Sequence, residues 1–130
     1  MRSLNRTAAL VLAAIFIVLG SAVLLAAKDN STLGVAETQT ITFNAPMVVG
    51  GTLLPAGDYR VTHQMQGTDH IMTFTQIGGK KAEAKSKCSL VPLKAKARTT
   101  EQRYTVNAKN EHVLTEMTFR GDTAKHVLAQ

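Results

Sequence analysis

The sequence predicts an all-β protein: an antiparallel β-sandwich or small barrel of about six to eight short strands, preceded by one N-terminal hydrophobic helix. Three observations indicate this class. Apolar and polar residues alternate in several runs after position 38, which is the period of a half-buried strand. Turn signals that contain glycine separate these runs about every 8–12 residues. No stretch after Ala27 has the apolar period of a helix.

The first 27 residues are predicted to form a signal peptide or an N-terminal membrane anchor. Arg2 and Arg6 precede an uncharged run, Thr7–Ala27, that is long enough to cross a bilayer as a helix. Gly20-Ser21-Ala22 and Gly34-Val35-Ala36 match the small-x-small pattern of a signal peptidase site, which favours cleavage. Because the two arginines hold the N-terminus in the cytoplasm, both alternatives predict export to the periplasm or the extracellular space. Membrane contact is expected only through the uncharged run, if it is retained.

The exported part is predicted to comprise a polar linker, residues 28–37, and one β-sandwich domain, residues 38–130. Alternation and turn signals place its strands at Thr38–Phe43, Asp58–Met65, His70–Ile77, Ala82–Val91, Gln102–Ala108, His112–Phe119 and, as a short edge strand, Ala124–Gln130. Alternation also predicts which residues of one strand share a face. In the first three of these strands after Phe43 they are Tyr59, Val61, His63 and Met65; then Met72 and Phe74, with Ile71 and Ile77 on the opposite face; then Ala82, Ala84, Ser86, Cys88 and Leu90. In the next two strands they are Tyr104, Val106 and Ala108, and then Val113, Thr115, Met117 and Phe119.

A glycine-rich corner, Val48–Val61, organises the fold. Gly50-Gly51 permits the positive φ angles of a tight hairpin turn. Pro55-Ala56-Gly57 then places proline at the second position of a turn, where its fixed φ fits. A new strand is expected to start immediately afterwards, with Tyr59 directed to one face.

The corner carries a resemblance to a known group. The pattern begins with Phe43-Asn44-Ala45-Pro46 and continues with Val49-Gly50-Gly51-Thr52-Leu53-Leu54-Pro55-Ala56-Gly57-Asp58-Tyr59-Arg60-Val61. Its later part is Val113-Leu114-Thr115-Glu116-Met117, followed by Gly121. This pattern resembles a group of small exported bacterial proteins of unknown function that share a VGGxxLPAGxYxV corner. The resemblance implies an exported β-sandwich-like domain and implies no activity. The lysine-rich segment Lys80–Arg103 departs from the group's pattern.

No catalytic motif is present, so the sequence predicts neither an enzyme nor a bound cofactor. A G-x-S-x-G elbow is missing. Glu111 and Glu116 are five residues apart, which places them on opposite faces of a strand and not side by side. Cys88 is the single cysteine, so an intrachain disulfide is excluded.

Metal binding is the alternative that the sequence leaves open. Imidazole and thiolate groups suit zinc and copper. The possible donors are therefore Cys88 and the four histidines, His63, His70, His112 and His126. No pair has a tight ligand spacing such as H-x-H. We therefore assign no metal ligand from sequence, and the alternative function is a metal-binding protein or metal-dependent enzyme that uses His63, His70 and Cys88.

The chain is basic, with a net charge of +6. Seven basic residues form the candidate surface for an anionic partner: Lys80, Lys81, Lys85, Lys87, Lys94, Lys96 and Arg98. The simpler interpretation is a solvated face that keeps the domain soluble. Nucleic acid is not predicted as a partner, because the segment lacks interleaved aromatic residues. The sequence thus predicts an exported, non-catalytic cell-envelope or secreted binding or structural module, whose partner is an anionic envelope polymer or another envelope protein.

Overall fold

The computed structural model describes residues 35–130, which form an all-β domain. Its strands are β1 (Thr38–Phe43), β2 (Met47–Val49), β3 (Thr52–Leu54), β4 (Gly57–Gln66), β5 (Asp69–Gln76), β6 (Glu83–Pro92), β7 (Glu101–Val106), β8 (His112–Thr118) and β9 (Ala124–Leu128). The all-β prediction is confirmed for this part of the chain. The predicted N-terminal helix and its cleavage site at Gly20-Ser21-Ala22 lie outside the described residues. Between residues 35 and 130, no helix has the length and apolar character needed to cross a membrane.

All nine strands belong to one sheet, which is not closed. The strand order is β1-β4-β5-β6-β9-β8-β2-β3, and β7 pairs with β8 off this path. Neighbouring strands are antiparallel except β2 and β8, which are parallel. One edge of β8 is occupied by β7. The other edge of β8 is shared by two strands: β9 pairs with Glu116 and Met117 of β8, and β2 pairs with His112 and Val113 of β8.

The core is continuous from one end of the sheet to the other. Ile41 and Phe43 of β1 belong to the same buried cluster as Met47 and Val49 of β2, although these strands lie near opposite ends of the strand order. The ring centroid of Phe43 lies 5.2 Å from that of Tyr59 and 6.0 Å from that of Phe74. The sheet therefore curves over its own inner face, and its interior is built from residues of most strands.

The predicted glycine corner is confirmed. Gly50 and Gly51 have φ angles of 55° and 82° and join β2 to β3, as the positive φ angles of a two-residue hairpin turn require. Gly57, with φ 147°, then begins β4. The Tyr59 hydroxyl donates a 2.6 Å hydrogen bond to the carbonyl oxygen of Pro55, which closes the second turn against the core.

Removing that hydroxyl should have a small, measurable cost. Tyr59→Phe keeps the buried ring and loses the bond to Pro55, so we expect the free energy of unfolding to fall by about 1 kcal/mol. Tyr104→Phe is the matched control, because Tyr104 is 49% exposed. Urea denaturation of the two variants checks the prediction, and equal stabilities would contradict it.

Burial follows the predicted alternation on β4 and β6. Tyr59, Val61 and His63 are buried on β4, although Met65 near its end is exposed. On β6 the inward face holds Ala84, Ser86 and Cys88, as predicted, while Leu90 is only half-buried.

The predicted faces of β7 are wrong. Tyr104 and Val106 are exposed, at 49% and 55%, and Ala108 lies outside the strand and is exposed. In the described part of the chain β7 pairs only with β8. Five of the six residues of β7 are exposed, so no second layer of the described residues covers its apolar side chains and its alternation carries no information about burial.

The predicted face of β8 is wrong in part, because a bulge interrupts it. Arg103 pairs with Glu116 and Tyr104 pairs with Leu114, so Thr115 is an extra residue in β8. The extra residue shifts the alternation by one. Leu114 and Met117 are therefore both buried, together with Phe119, whereas Val113 and Thr115 are half-buried.

Two further expectations are corrected. Ile71 and Ile77 were predicted to lie on one face of the same strand, but β5 ends at Gln76, so Ile77 lies outside the strand and is exposed, whereas Ile71 is buried. Both Ile71 and Met72 are buried, because β5 is central and is covered on both faces along part of its length. The C-terminal strand β9 was predicted at an edge, but it lies between β6 and β8.

Candidate metal centre

Three buried side chains from three strands meet in the core. His63 of β4, Cys88 of β6 and His126 of β9 each offer one ligand atom, and these atoms all lie within 4.8 Å of one another. The three residues are 4%, 8% and 0% exposed. The Cys88 sulfur lies 3.7 Å from Nδ1 of His126. This group is called the His-Cys-His centre below.

Strand register explains why these residues meet. Cys88 lies opposite His70 on β5 and opposite Leu128 on β9. Residues that lie opposite one another, or two apart on one strand, share a face of the sheet. His126 is two residues from Leu128, so it shares the face of Cys88. His63 lies opposite Met72, which is two residues from His70, so it shares that face too.

His70 lies at the border between the centre and the surface. It is half-buried, and its ring is stacked on that of His63 with a centroid distance of 5.1 Å and an interplanar angle of 12°. Its Nδ1 is buried and has no hydrogen-bond partner among the described residues. His70 and Cys88 both line a surface groove together with Thr68 and Leu128. Of the three residues of the centre, Cys88 alone lines this groove.

Burial keeps both histidines of the centre neutral. The pKa of His126 is lowered to about 3, mainly by burial and in addition by the neighbouring His63 and His70. The pKa of His63 is also lowered, first by burial and then by His70. Burial raises the pKa of Cys88 to about 11. At neutral pH the centre therefore carries no net charge, and its imidazoles are in the form that binds metals.

Three of the four imidazole nitrogens of the centre lack a hydrogen-bond partner among the described residues, and the fourth, Nδ1 of His126, is paired with the Cys88 sulfur. Neither ring nitrogen of His63 has a partner among the described residues, and neither does Nε2 of His126. His126 instead contacts aromatic rings, with Phe119 at 5.4 Å and His63 at 4.8 Å between centroids. A buried polar atom without a partner costs about 1–3 kcal/mol. A group that accepts electron pairs from these nitrogens would remove part of this cost.

The spacing of the donor atoms suits a metal ion. Zinc binds imidazole nitrogen at about 2.0 Å and thiolate sulfur at about 2.3 Å. Across an angle of about 120°, such ligands lie about 3.8 Å apart, close to the observed 3.7 Å between Cys88 and His126. The donor atom of His63 lies within 4.8 Å of the other two, so it must move closer by up to about 1 Å to reach the distance typical of zinc ligands.

The structure brings together part of the donor set considered from sequence. His63 and Cys88 meet, as the alternative function requires, but their third partner is His126, with His70 beside them. His112 does not belong to the group, because it is stacked on Tyr104 with centroids 4.1 Å apart. Sequence reasoning named His126 among the possible donors but left it out of the set His63, His70 and Cys88, and it placed β9 at an edge of the sheet. The alternation of Ala124, His126 and Leu128 was the signal that these three residues share one face.

The seven basic residues of the candidate anionic surface are all exposed. Lys80 and Lys81 precede β6, Lys85 and Lys87 lie on its outward face, and the other three follow its end, in the loop before β7. Since β6 has ten residues, the set extends over about 30 Å. Lys87 pairs with Asp69 at 3.1 Å, and both side chains are more than half exposed. The structure therefore spreads these charges along one strand and beyond both of its ends.

The fold and the centre define an all-β protein with a buried imidazole–thiolate constellation. Comparisons with protein-family models, with curated proteins and with solved structures found no match for this chain.

Proposed function

We propose that this protein binds a transition-metal ion in its core through His63, Cys88 and His126. The observation that supports this most strongly is the convergence of three buried donor atoms within 4.8 Å, from three strands. Two of the three residues also have ring nitrogens without hydrogen-bond partners. Metal binding gives these atoms a partner and replaces the thiol proton.

A binding role fits the centre better than catalysis by cysteine. A nucleophilic cysteine needs a lowered pKa and access to substrate. Cys88 is 8% exposed, and burial raises its pKa to about 11. His126 is too weak a base to accept the thiol proton, because its pKa is about 3. The thiol therefore stays protonated until a metal ion displaces its proton.

The proposal places this binding function in an exported, non-catalytic module of the cell envelope or the secreted fraction. Its support is the charged N-terminus followed by the run Thr7–Ala27. We also propose a sandwich-like arrangement for the domain, because β1 and β2 contribute to one core from near opposite ends of the strand order. The exposed basic residues along β6 support weak, salt-sensitive association with an anionic envelope polymer.

The test is metal binding by the full-length chain. Purified protein is incubated with Co²⁺, whose absorption reports thiolate coordination, and separately with Zn²⁺ and, under anaerobic conditions, with Cu⁺, and bound metal is measured after desalting. We expect one ion per chain. Mutation of an outer-shell partner typically lowers metal affinity about 10–100-fold. Cys88 is a direct ligand in this proposal, so Cys88→Ser should lower the metal affinity at least about 100-fold.

His112→Gln is the matched control, because His112 lies outside the centre. It should bind metal as the wild type does. Circular dichroism of both variants checks that each is folded. If folded wild-type protein retains no metal ion, or if Cys88→Ser and His112→Gln bind equally well, the proposed function is wrong.

A further inference from the structure

The charge of the ligand set points to the charge of the ion. A bound thiolate contributes one negative charge, and two neutral imidazoles contribute none. A monovalent ion therefore gives a neutral centre, whereas a divalent ion leaves one uncompensated positive charge. Within residues 35–130, no carboxylate belongs to the group that could supply the second negative charge.

The apolar surroundings of the centre make the difference in binding free energy between a monovalent and a divalent ion large. Leu128 lies opposite Cys88 and is 3% exposed. Phe119, at 2% exposure, is packed edge-on against the ring of His126. An uncompensated charge in such apolar surroundings is expensive, because burial removes most of the water that would solvate it. A neutral ion–ligand complex avoids that cost.

The neighbouring side chains add a second, independent indication. Met72 lies directly opposite His63, and Met117 lies directly opposite His126. Both methionines are 0% exposed, so each imidazole has a buried thioether on the same face of the sheet. Thioether and thiolate sulfur are soft donors, which favour monovalent copper over harder ions.

We infer, on the basis of the proposed metal-binding function, that the His-Cys-His centre selects Cu⁺ over Zn²⁺ and Cu²⁺. The ion replaces the Cys88 thiol proton, which is released to solvent, so that one Cu⁺ enters and one H⁺ leaves with no change of oxidation state. The groove lined by His70, Cys88 and Leu128 is the route by which Cu⁺ reaches the centre.

The test compares three ions on the full-length chain under anaerobic conditions. Cu⁺ is supplied as its coloured bicinchoninate complex, and Zn²⁺ and Cu²⁺ are supplied in competition with chelators of known affinity. We expect one Cu⁺ per chain and an affinity at least about 1,000-fold higher than for Zn²⁺, the effect of one uncompensated buried charge. X-ray absorption should report two nitrogen donors and at least one sulfur donor to copper.

A charge variant tests the reason for this preference. Ser86 is buried, two residues from Cys88 on the same face of β6. Ser86→Asp adds a negative charge beside the centre, and Ser86→Asn adds similar volume without the charge. The aspartate variant should shift the preference toward Zn²⁺ by at least about tenfold relative to the asparagine variant.

The outcomes separate this inference from the proposed function. Zn²⁺ or Cu²⁺ bound as tightly as Cu⁺, or an intense thiolate-to-Cu²⁺ absorption band in wild-type protein, overturns Cu⁺ selection and leaves metal binding intact. Equal preferences in folded Ser86→Asp and Ser86→Asn overturn the electrostatic argument. If no ion binds at all, both proposals fail. Should either variant not fold, the wild-type comparison of the three ions decides.

Discussion

Gly50→Ala is expected to remove much of the domain's stability. Gly50 has a φ angle of 55°, which alanine adopts only with strain. A Cβ atom at this position would also overlap the backbone carbonyl oxygen of Lys85 in β6. Neither backbone segment can move aside easily, because β6 is paired on both edges. Strain and overpacking together should lower the free energy of unfolding by about 3–5 kcal/mol.

The adjacent glycine provides a matched control for this experiment. Gly51 also has a positive φ, 82°, but among the described residues no atom other than those of Gly51 and its two chain neighbours lies within 4 Å of the position of its Cβ. Gly51→Ala should therefore cost only the backbone strain, about 1–2 kcal/mol. Chemical denaturation of both variants measures the difference. Equal losses would mean that the close approach of the hairpin to β6 is not a determinant of stability.

Acidification is expected to destabilise the metal-free protein strongly. The pKa of His126 is about 3 in the folded state, whereas an unfolded histidine titrates near about 6.5. The unfolded state therefore binds a proton first as the pH falls below about 6.5, and stability is lost from there down to about pH 3. At pH 4.5 this one residue should lower the free energy of unfolding by roughly 3 kcal/mol.

Other titrating groups modify this pH dependence in known directions. His63 adds to the loss, because its pKa is also lowered by burial and by His70. Asp122 opposes it, because burial raises the pKa of that carboxyl, so acidification relieves the cost of burying its charge. The net slope should still follow the two histidines.

A variant separates the histidine contribution from general acid unfolding. Urea denaturation at pH 7.5 and pH 4.5 should show a much smaller difference for His126→Leu than for the wild type, because leucine has no proton to gain. His112→Leu, which changes a histidine outside the centre, should keep the wild-type difference. A wild-type protein equally stable at both pH values would contradict the prediction.

The local patterns of the sequence predicted much of the fold, and the tertiary arrangement decided the rest. The alternation on β4 and β6 correctly placed His63 and Cys88 inside, because both strands lie in the interior of the sheet. The same alternation failed for Tyr104 and Val106, whose strand has no covering layer. On β8 it failed because of Thr115, an extra residue whose presence depends on the pairing with β7.

The candidate centre was only half predictable for a similar reason. Whether histidines on separate strands meet can be predicted only if the strand order is known. The strands β4, β6 and β9 are far apart in the chain, so the sequence does not reveal that order. Cys88 and His70 lie opposite one another across one hairpin, so their proximity follows from local pairing. His126 joins them because β9 pairs with β6, an arrangement that no motif in the sequence encodes.

The central position of β9 has a consequence for the order of assembly. This strand follows the other eight in the chain, yet it fills the space between β6 and β8 and supplies His126. During synthesis, the N-terminal strands emerge well before it does. The three residues of the His-Cys-His centre can come together only after β9 has been inserted, so the complete centre exists only in the finished molecule.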